Sequence, residues 1–242
     1  MAIAECIVIE KDDPVLWMDN ELSKIEKCVE DSVYWRYLTD ESTKSKDVFA
    51  MMKEVMLEIW SYQKRVDESV FAAVGRLGSS IDEQGLIRSM IAVQVEETGH
   101  GTMALGDYIA LGGDESYARK RRPSPAAQAL ICVVRGLGEI EHPLSHLGYM
   151  YFFEKFTTVM TLKVEPFLKR AKYPNDRLNF MRLHAEEDIR HADMLANIIR
   201  ECVNRYEDAS EHIIYGFECF REVYPHSVWN SAFNRMMLAK HG

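Results

Sequence analysis

The segment His184-Ala185-Glu186-Glu187-Asp188-Ile189-Arg190-His191 constrains the fold more than any other part of the chain. It lies in a stretch from about Asn175 to Tyr206 whose apolar residues recur at helical spacing. At about 100° per residue, Asp188 falls about 40° from His184, and His191 about 20° on the other side. The three share one narrow face with Met181, Leu195, Ile198, Ile199 and Cys202. Two imidazoles and a carboxylate therefore point where a core should be. A buried carboxylate without a partner is costly, so buried charges are normally paired or bound to metal. The pattern asks for a metal ion. Glu187 lies about 60° from His184 on the side away from Asp188, and Glu186 faces almost opposite. Of the three consecutive acids, Asp188 is thus the expected ligand.

Three ligands on one helix need partners from others. Val95-Glu96-Glu97-Thr98-Gly99-His100 carries a Glu-x-x-His pair, the spacing used by carboxylate-bridged dimetal bundles. Leu86, Met90, Val93, Ala104, Tyr108 and Leu111 set a core direction about 45° from His100, with Glu97 within about 15° of it and Glu96 about 85° away. Glu97 is the expected ligand, and Glu96 the fallback should the helix be distorted at Gly99. A further helix offers Glu154 among Leu147, Met150, Tyr151, Thr158 and Leu162. Glu165 shares that face but lies about 16 Å further along. The set is Glu97, His100, Glu154, His184, Asp188 and His191. Carboxylates and imidazoles in equal number suit two first-row ions of the iron or manganese type and do not suit structural zinc. Any one of these residues alone reads more simply as a core histidine or a surface acid; their convergence from three helices makes the case. His142, His146, His212, His226 and His241 read as packing or surface residues, and Cys202 as a buried inert thiol.

The formal net charge of −9 argues against nucleic acid or an anionic membrane as main partner and fits a small-molecule substrate. A length of 242 residues fits one domain spanning 1–242. Five scattered cysteines without a CxxC pair read as reduced thiols. With no signal peptide or transmembrane run, a cytoplasmic protein is expected. Helices are expected over about 14–38, 46–77, 82–111, 126–137, 143–171, 175–206, 210–225 and 227–238, punctuated by Gly and Pro. Only Ala4 to Ile9 alternates, and weakly. This is an all-α bundle of about seven or eight helices. The basic run Arg119-Lys120-Arg121-Arg122 is expected on a solvated surface.

The strings Glu96-Glu97-x-Gly99-His100, Tyr151-x-x-Glu154 and His184-x-x-x-Asp188-x-x-His191-Ala192 resemble the heme-oxygenase-like dimetal oxidases and oxygenases. The resemblance runs from about Tyr34 to Cys202 and is closest to CADD-like members, with the short Glu-x-x-His spacing of UndA-like ones. Its specific part is the His-x-x-x-Asp-x-x-His element. The resemblance implies a heme-oxygenase-like fold and two metal ions, Fe/Fe or Mn/Fe, that activate O2 as co-substrate. It also implies an external reductant, a homodimer, and a small organic substrate or the protein's own side chains as target. Some members recruit an additional Glu from the preceding helix. Glu58 is the candidate here, although it lies about 80° off the core direction set by Met52, Val55, Ile59 and Tyr62. Tyr34 and Tyr62 are candidate radical or substrate-contact residues, with core packing the simpler account of each. The competing expectation is a non-catalytic helical protein with a ferritin-like metal or partner site. That reading needs a core-facing Glu on the second helix, and the helical wheel finds none. Heme oxygenase itself is a poor reading, because its axial histidine lies near the N-terminus and this sequence has no histidine before His100.

Overall fold

Local chemistry decides where each helix starts. Asp13 accepts from the backbone N–H groups of Val15 and Leu16, and Pro14 takes the first helical position, where its missing N–H costs nothing. The computed structural model describes residues 13–77, 84–174 and 179–241, without the side chains of residues 179, 182 and 185–188. Among the described residues twelve helices follow in order: α1 (Pro14–Glu30), α2 (Val33–Thr39), α3 (Ser45–Val66), α4 (Ser69–Arg76), α5 (Gln84–Glu97), α6 (His100–Ala110), α7 (Glu115–Lys120), α8 (Pro125–Glu139), α9 (Ser145–Arg170), α10 (Asn179–Arg205), α11 (Ala209–Arg221) and α12 (His226–His241). Among the described residues no strand occurs. The weak alternation at 4–9 and the turn signals at 78–83 lie outside them.

The all-α expectation holds, with more breaks than the periodicity suggests. Three of the expected helices are each divided in two, because hydrophobic spacing continues across a local stop. Ser32 ends one run and starts another: its hydroxyl donates to the Val29 carbonyl and accepts from Trp35 N–H. The other breaks fall at Asp67-Glu68 and at Thr98-Gly99. The short α7 lies in the expected loop and is capped by Asp114. No helix among the described residues is long and apolar enough to cross a membrane.

The core is organised around α9, which packs on α10, α11, α1 and α8, while α3 packs on α6, α8 and α12. The contact of α9 with α11 is close because both helices present glycine there. A Cβ on Gly148 would sit 1.9 Å from the Ile213 carbonyl oxygen, and one on Gly216 would sit 1.8 Å from that of Ser145. His146, two residues before Gly148, is fully enclosed, and burial pushes its imidazole down to about 3.

Two expectations about charge fail. Glu58 is 0% exposed despite its position on the wheel, and Glu54 is buried one turn before it. Both pair with Arg235 of α12, and Glu58 also accepts from Ser124 Oγ at 2.7 Å and Arg121 at 3.2 Å. The wheel fails because α3 is covered on several sides, by α6, α8 and α12, so it has no single core direction. Arg121 is therefore a largely buried partner of Glu58 rather than part of a solvated run. The second expected helix does carry inward carboxylates, as the ferritin-like alternative requires, but arginine occupies them.

Two outcomes test this packing. Alanine normally strengthens a helix relative to glycine by up to about 1 kcal/mol. Gly216→Ala should instead destabilise by about 1–3 kcal/mol in urea unfolding. Gly136→Ala, where nothing lies within 4 Å, should be neutral or stabilising. The second outcome concerns acid. An unfolded histidine takes up its proton near pH 6.5, whereas His146 stays neutral in the fold down to about pH 3. The unfolded state then binds more protons in that window, and stability falls with pH by up to about 1.4 kcal/mol per unit from this one group. His146→Phe should flatten the decline between pH 6.5 and 4 by one proton, read from urea midpoints across the range.

Candidate metal centre

The site begins where a helix stops. α5 ends at Glu97; Thr98 folds its hydroxyl back onto the Gln94 carbonyl at 2.9 Å. Gly99 adopts φ +104°, a left-handed conformation that costs a side chain strain and glycine little. His100 then opens α6. The break lets the two residues face each other, with His100 Nδ1 2.8 Å from Glu97 Oε2. Across from them, α9 supplies Glu154 and α10 supplies His184 and His191, all buried. Leu162, expected beside Glu154, is half exposed instead.

These side chains form two groups of three that share Glu97. Glu97, His100 and His184 have ligand atoms within 4.8 Å of one another, and so do Glu97, Glu154 and His191. The rings of His100 and His184 lie 4.7 Å apart. His191 Nδ1 is 3.1 Å from Glu97 Oε1 and 3.4 Å from Glu154 Oε2. Two donors bound at about 2.1 Å and at right angles on one ion lie about 3.0 Å apart, so this spacing is that of neighbouring ligands. Glu97 Oε1 and His191 Nδ1 are also buried without a hydrogen bond, being close but misaligned. Buried polar atoms are rarely left so. A cation between them would satisfy both, so the residues present fit a metal.

Proton energetics fit as well. Burial lowers His184 to about 4, so it is neutral at physiological pH, as a ligand must be. Its Nδ1 is 2.7 Å from the Phe180 carbonyl and donates to it, which leaves Nε2 for a metal. Burial raises Glu154, and the nearby charge of Glu97 adds to this. Burial also opposes the charge on Glu97, but His100 and His191 outweigh it and hold Glu97 low. Burial disfavours a charged His191, yet Glu154, Glu97 and Glu96 together raise it far above the usual range. A cation bound here would therefore compete with protonation of His191.

The remaining expected residues fall as follows. Asp188 lies on α10 between His184 and His191, but its side chain, like those of Glu186 and Glu187, is outside the described residues. Glu96 is not drawn into the cluster; its half-exposed carboxylate meets the far side of His191, with Oε2 3.0 Å from Nε2. Glu58 belongs to the arginine network, not to either group. Glu165 pairs with Lys169 at the surface. Cys202 is buried, which pushes its thiol up to about 12. Tyr62 is buried and lines an apolar cavity; Tyr34 does not line it, and its hydroxyl meets His226 Nδ1 at 3.1 Å.

Two acids near the site are not singled out by the sequence pattern. Asp107 of α6 is buried and accepts from Phe180 N–H at 2.9 Å, fixing the turn of α10 whose carbonyl receives His184. Its i+7 position from His100 on one helix was the available signal. Asp67, beside the Glu97 and His100 charges, is raised to about 6 by burial and then by Glu97. It lines a small space of mixed character with Gln63 and Gln94. Its position one turn after Gln63 was a weak signal, easily read as a helix end.

Comparison with known proteins adds the family. No curated protein matches the sequence. A crystal structure of a domain of unknown function with a heme oxygenase-like fold, from Shewanella denitrificans OS217, matches with a TM-score of 0.76 at 19% identity, covering 93% of this chain and 94% of that one. At that identity the likeness shows the fold. Residues 53–224 match the model of the family described as iron-containing redox enzyme. That span holds Glu97, His100, Glu154, His184 and His191. The chain therefore has a heme-oxygenase-like fold and belongs to the iron-containing redox enzyme family.

Proposed function

We propose that the protein is an O2-activating oxidase or oxygenase that holds two metal ions, iron with iron or manganese with iron, and acts on a small organic substrate. The observation that carries this reading is the shared carboxylate: Glu97 belongs to both three-residue groups. A carboxylate between two ions is the economical way to place both in an apolar core, since it offsets charge on each side. Glu154 and His191 would complete one subsite, and His100 with His184 the other. Asp188, one turn from both histidines of α10, is proposed as the sixth ligand.

When bound, the metals would supply the redox chemistry of oxygen, with electrons from an external reductant. The chain does the rest. A small, mostly apolar cavity of about 50 Å³ lies between α3 and α9 and is lined by Met51, Met52, Ile59, Phe156 and Met160 among others. Phe180 also lines it while stacking on His184 at 3.8 Å, so one ring separates cavity from cluster. Phe153 lines this cavity as well, one residue before Glu154. Such walls hold an apolar group and exclude water from the reacting atoms. Tyr62 lies at this wall, and its deep burial raises its hydroxyl well above the usual range, so it stays protonated. Only a few hydroxyls interrupt the walls, among them Thr157, whose Oγ1 is buried without a partner and is placed to orient a polar group on the substrate.

Anaerobic loading with Fe(II) followed by O2 should give a transient visible absorption band and consume O2. Two bound irons inert to O2 would instead mark a non-catalytic metal protein. His184→Ala and Asp188→Ala should each reduce bound iron from two per chain to one or none, measured by elemental analysis. Loading should also release protons, because metal displaces the proton that Glu154 and Glu97 hold on His191. Affinity then rises with pH. Calorimetric titrations in buffers of different ionisation enthalpy should report this release; a buffer-independent heat would contradict it.

A further inference from the structure

His191 is wedged between acids on both sides of its ring. Nδ1 faces Glu97 Oε1 at 3.1 Å and Glu154 Oε2 at 3.4 Å, inside the cluster. Nε2 points outward to Glu96 Oε2 at 3.0 Å. The same Glu96 oxygen pairs with Arg190, which itself comes within 3.3 Å of Nε2. His191 is 0% exposed, so the ring is held, whereas the Glu96 side chain is 40% exposed. His184 has the opposite arrangement: Nδ1 donates to the Phe180 carbonyl, and Nε2 is left for the cluster.

We infer that Glu96 is a positioning residue of the metal centre: it accepts Nε2–H of His191 and so presents Nδ1 as the ligand atom in the subsite of Glu97 and Glu154. The inference rests on the two-metal reading above. A neutral imidazole carries one N–H, and the nitrogen that keeps it is set by the partner of that nitrogen. A carboxylate partner also leaves the ligating nitrogen richer in electrons than a carbonyl does. The two subsites are therefore unequal. One has a carboxylate-backed histidine ligating through Nδ1, and the other a carbonyl-backed histidine ligating through Nε2. Arg190 limits the effect by sharing the Glu96 charge. The sequence places Glu96 next to the ligand Glu97 and Arg190 next to the ligand His191, so each helix carries a ligand and its outer support on consecutive residues.

The test uses the full chain loaded with Zn(II), which is diamagnetic and takes the same ligands. Long-range 1H–15N correlation spectra, with His191 assigned by its loss in His191→Gln, should show Nε2 protonated and Nδ1 bound. Glu96→Ala should weaken one of the two zinc sites by about 10–100-fold and leave the other unchanged, with Glu96→Asp restoring part of the loss. Glu96 also meets the buried His191 ring in the metal-free chain, so the unfolding midpoint of the metal-free variant should fall modestly, while the unaffected zinc site reports that the fold is intact. Zinc bound through Nε2 of His191, or an Ala variant with both affinities unchanged, overturns the inference while leaving the two-metal reading intact. A wild-type chain that takes up no zinc or iron overturns both.

Discussion

The structure depends on how a buried carboxylate is satisfied. Glu97 sits at the end of a helix, enclosed by residues from α6, α9 and α10, with imidazole on either side. Charge of this kind is not tolerated in a core without compensation. Where compensation could come from arginine, the fold uses it: Glu54 and Glu58 are closed off by Arg235 and Arg121. At Glu97 and Glu154 the neighbours are histidines, which ligate metals when neutral and carry charge only when protonated. The contrast separates two buried acid clusters in one molecule. One is an ion-pair network that ties α12 and the loop before α8 to α3; the other has the donor set that could hold a metal.

Geometry gives that candidate site a direction. The break at Gly99 rotates His100 toward Glu97, Asp107 fixes the first turn of α10, and the Phe180 carbonyl holds His184. Phe180 then stands between the cluster and the apolar cavity. The space lined by Gln63, Asp67 and Gln94 lies against Glu97 and Glu154 as well, between α3, α5 and α9. The cluster thus meets an apolar chamber through Phe180 and a smaller space of mixed lining through its carboxylates, with Phe153 lining both. The tight α9–α11 contact at Gly148 and Gly216 anchors the helix that carries Glu154, so its position does not depend on metal alone.

Much of this was legible in the sequence, because helical periodicity converts spacing into direction. The burial of His184 and His191 on one apolar face, and of Glu97 rather than Glu96, both follow from it. It worked where a helix has one core face. It misjudged Glu58, because α3 is covered on several sides, and it ran through Ser32 and Gly99, because apolar spacing does not register a local stop. What spacing cannot contain is contact between distant segments: Glu96 with His191, Asp107 with Phe180, Gly148 with Ile213. Those depend on how α5, α6, α9, α10 and α11 pack. The side chain of Asp188 lies outside the described residues, and its role is argued from its position between the two histidines.

Anomalous diffraction at the iron edge, from crystals grown anaerobically with Fe(II), tests the central claim most directly. Two iron peaks should flank Glu97, one beside Glu154 and His191 and the other beside His100 and His184. A single peak, or iron elsewhere with Glu97 in contact with protein alone, would contradict it.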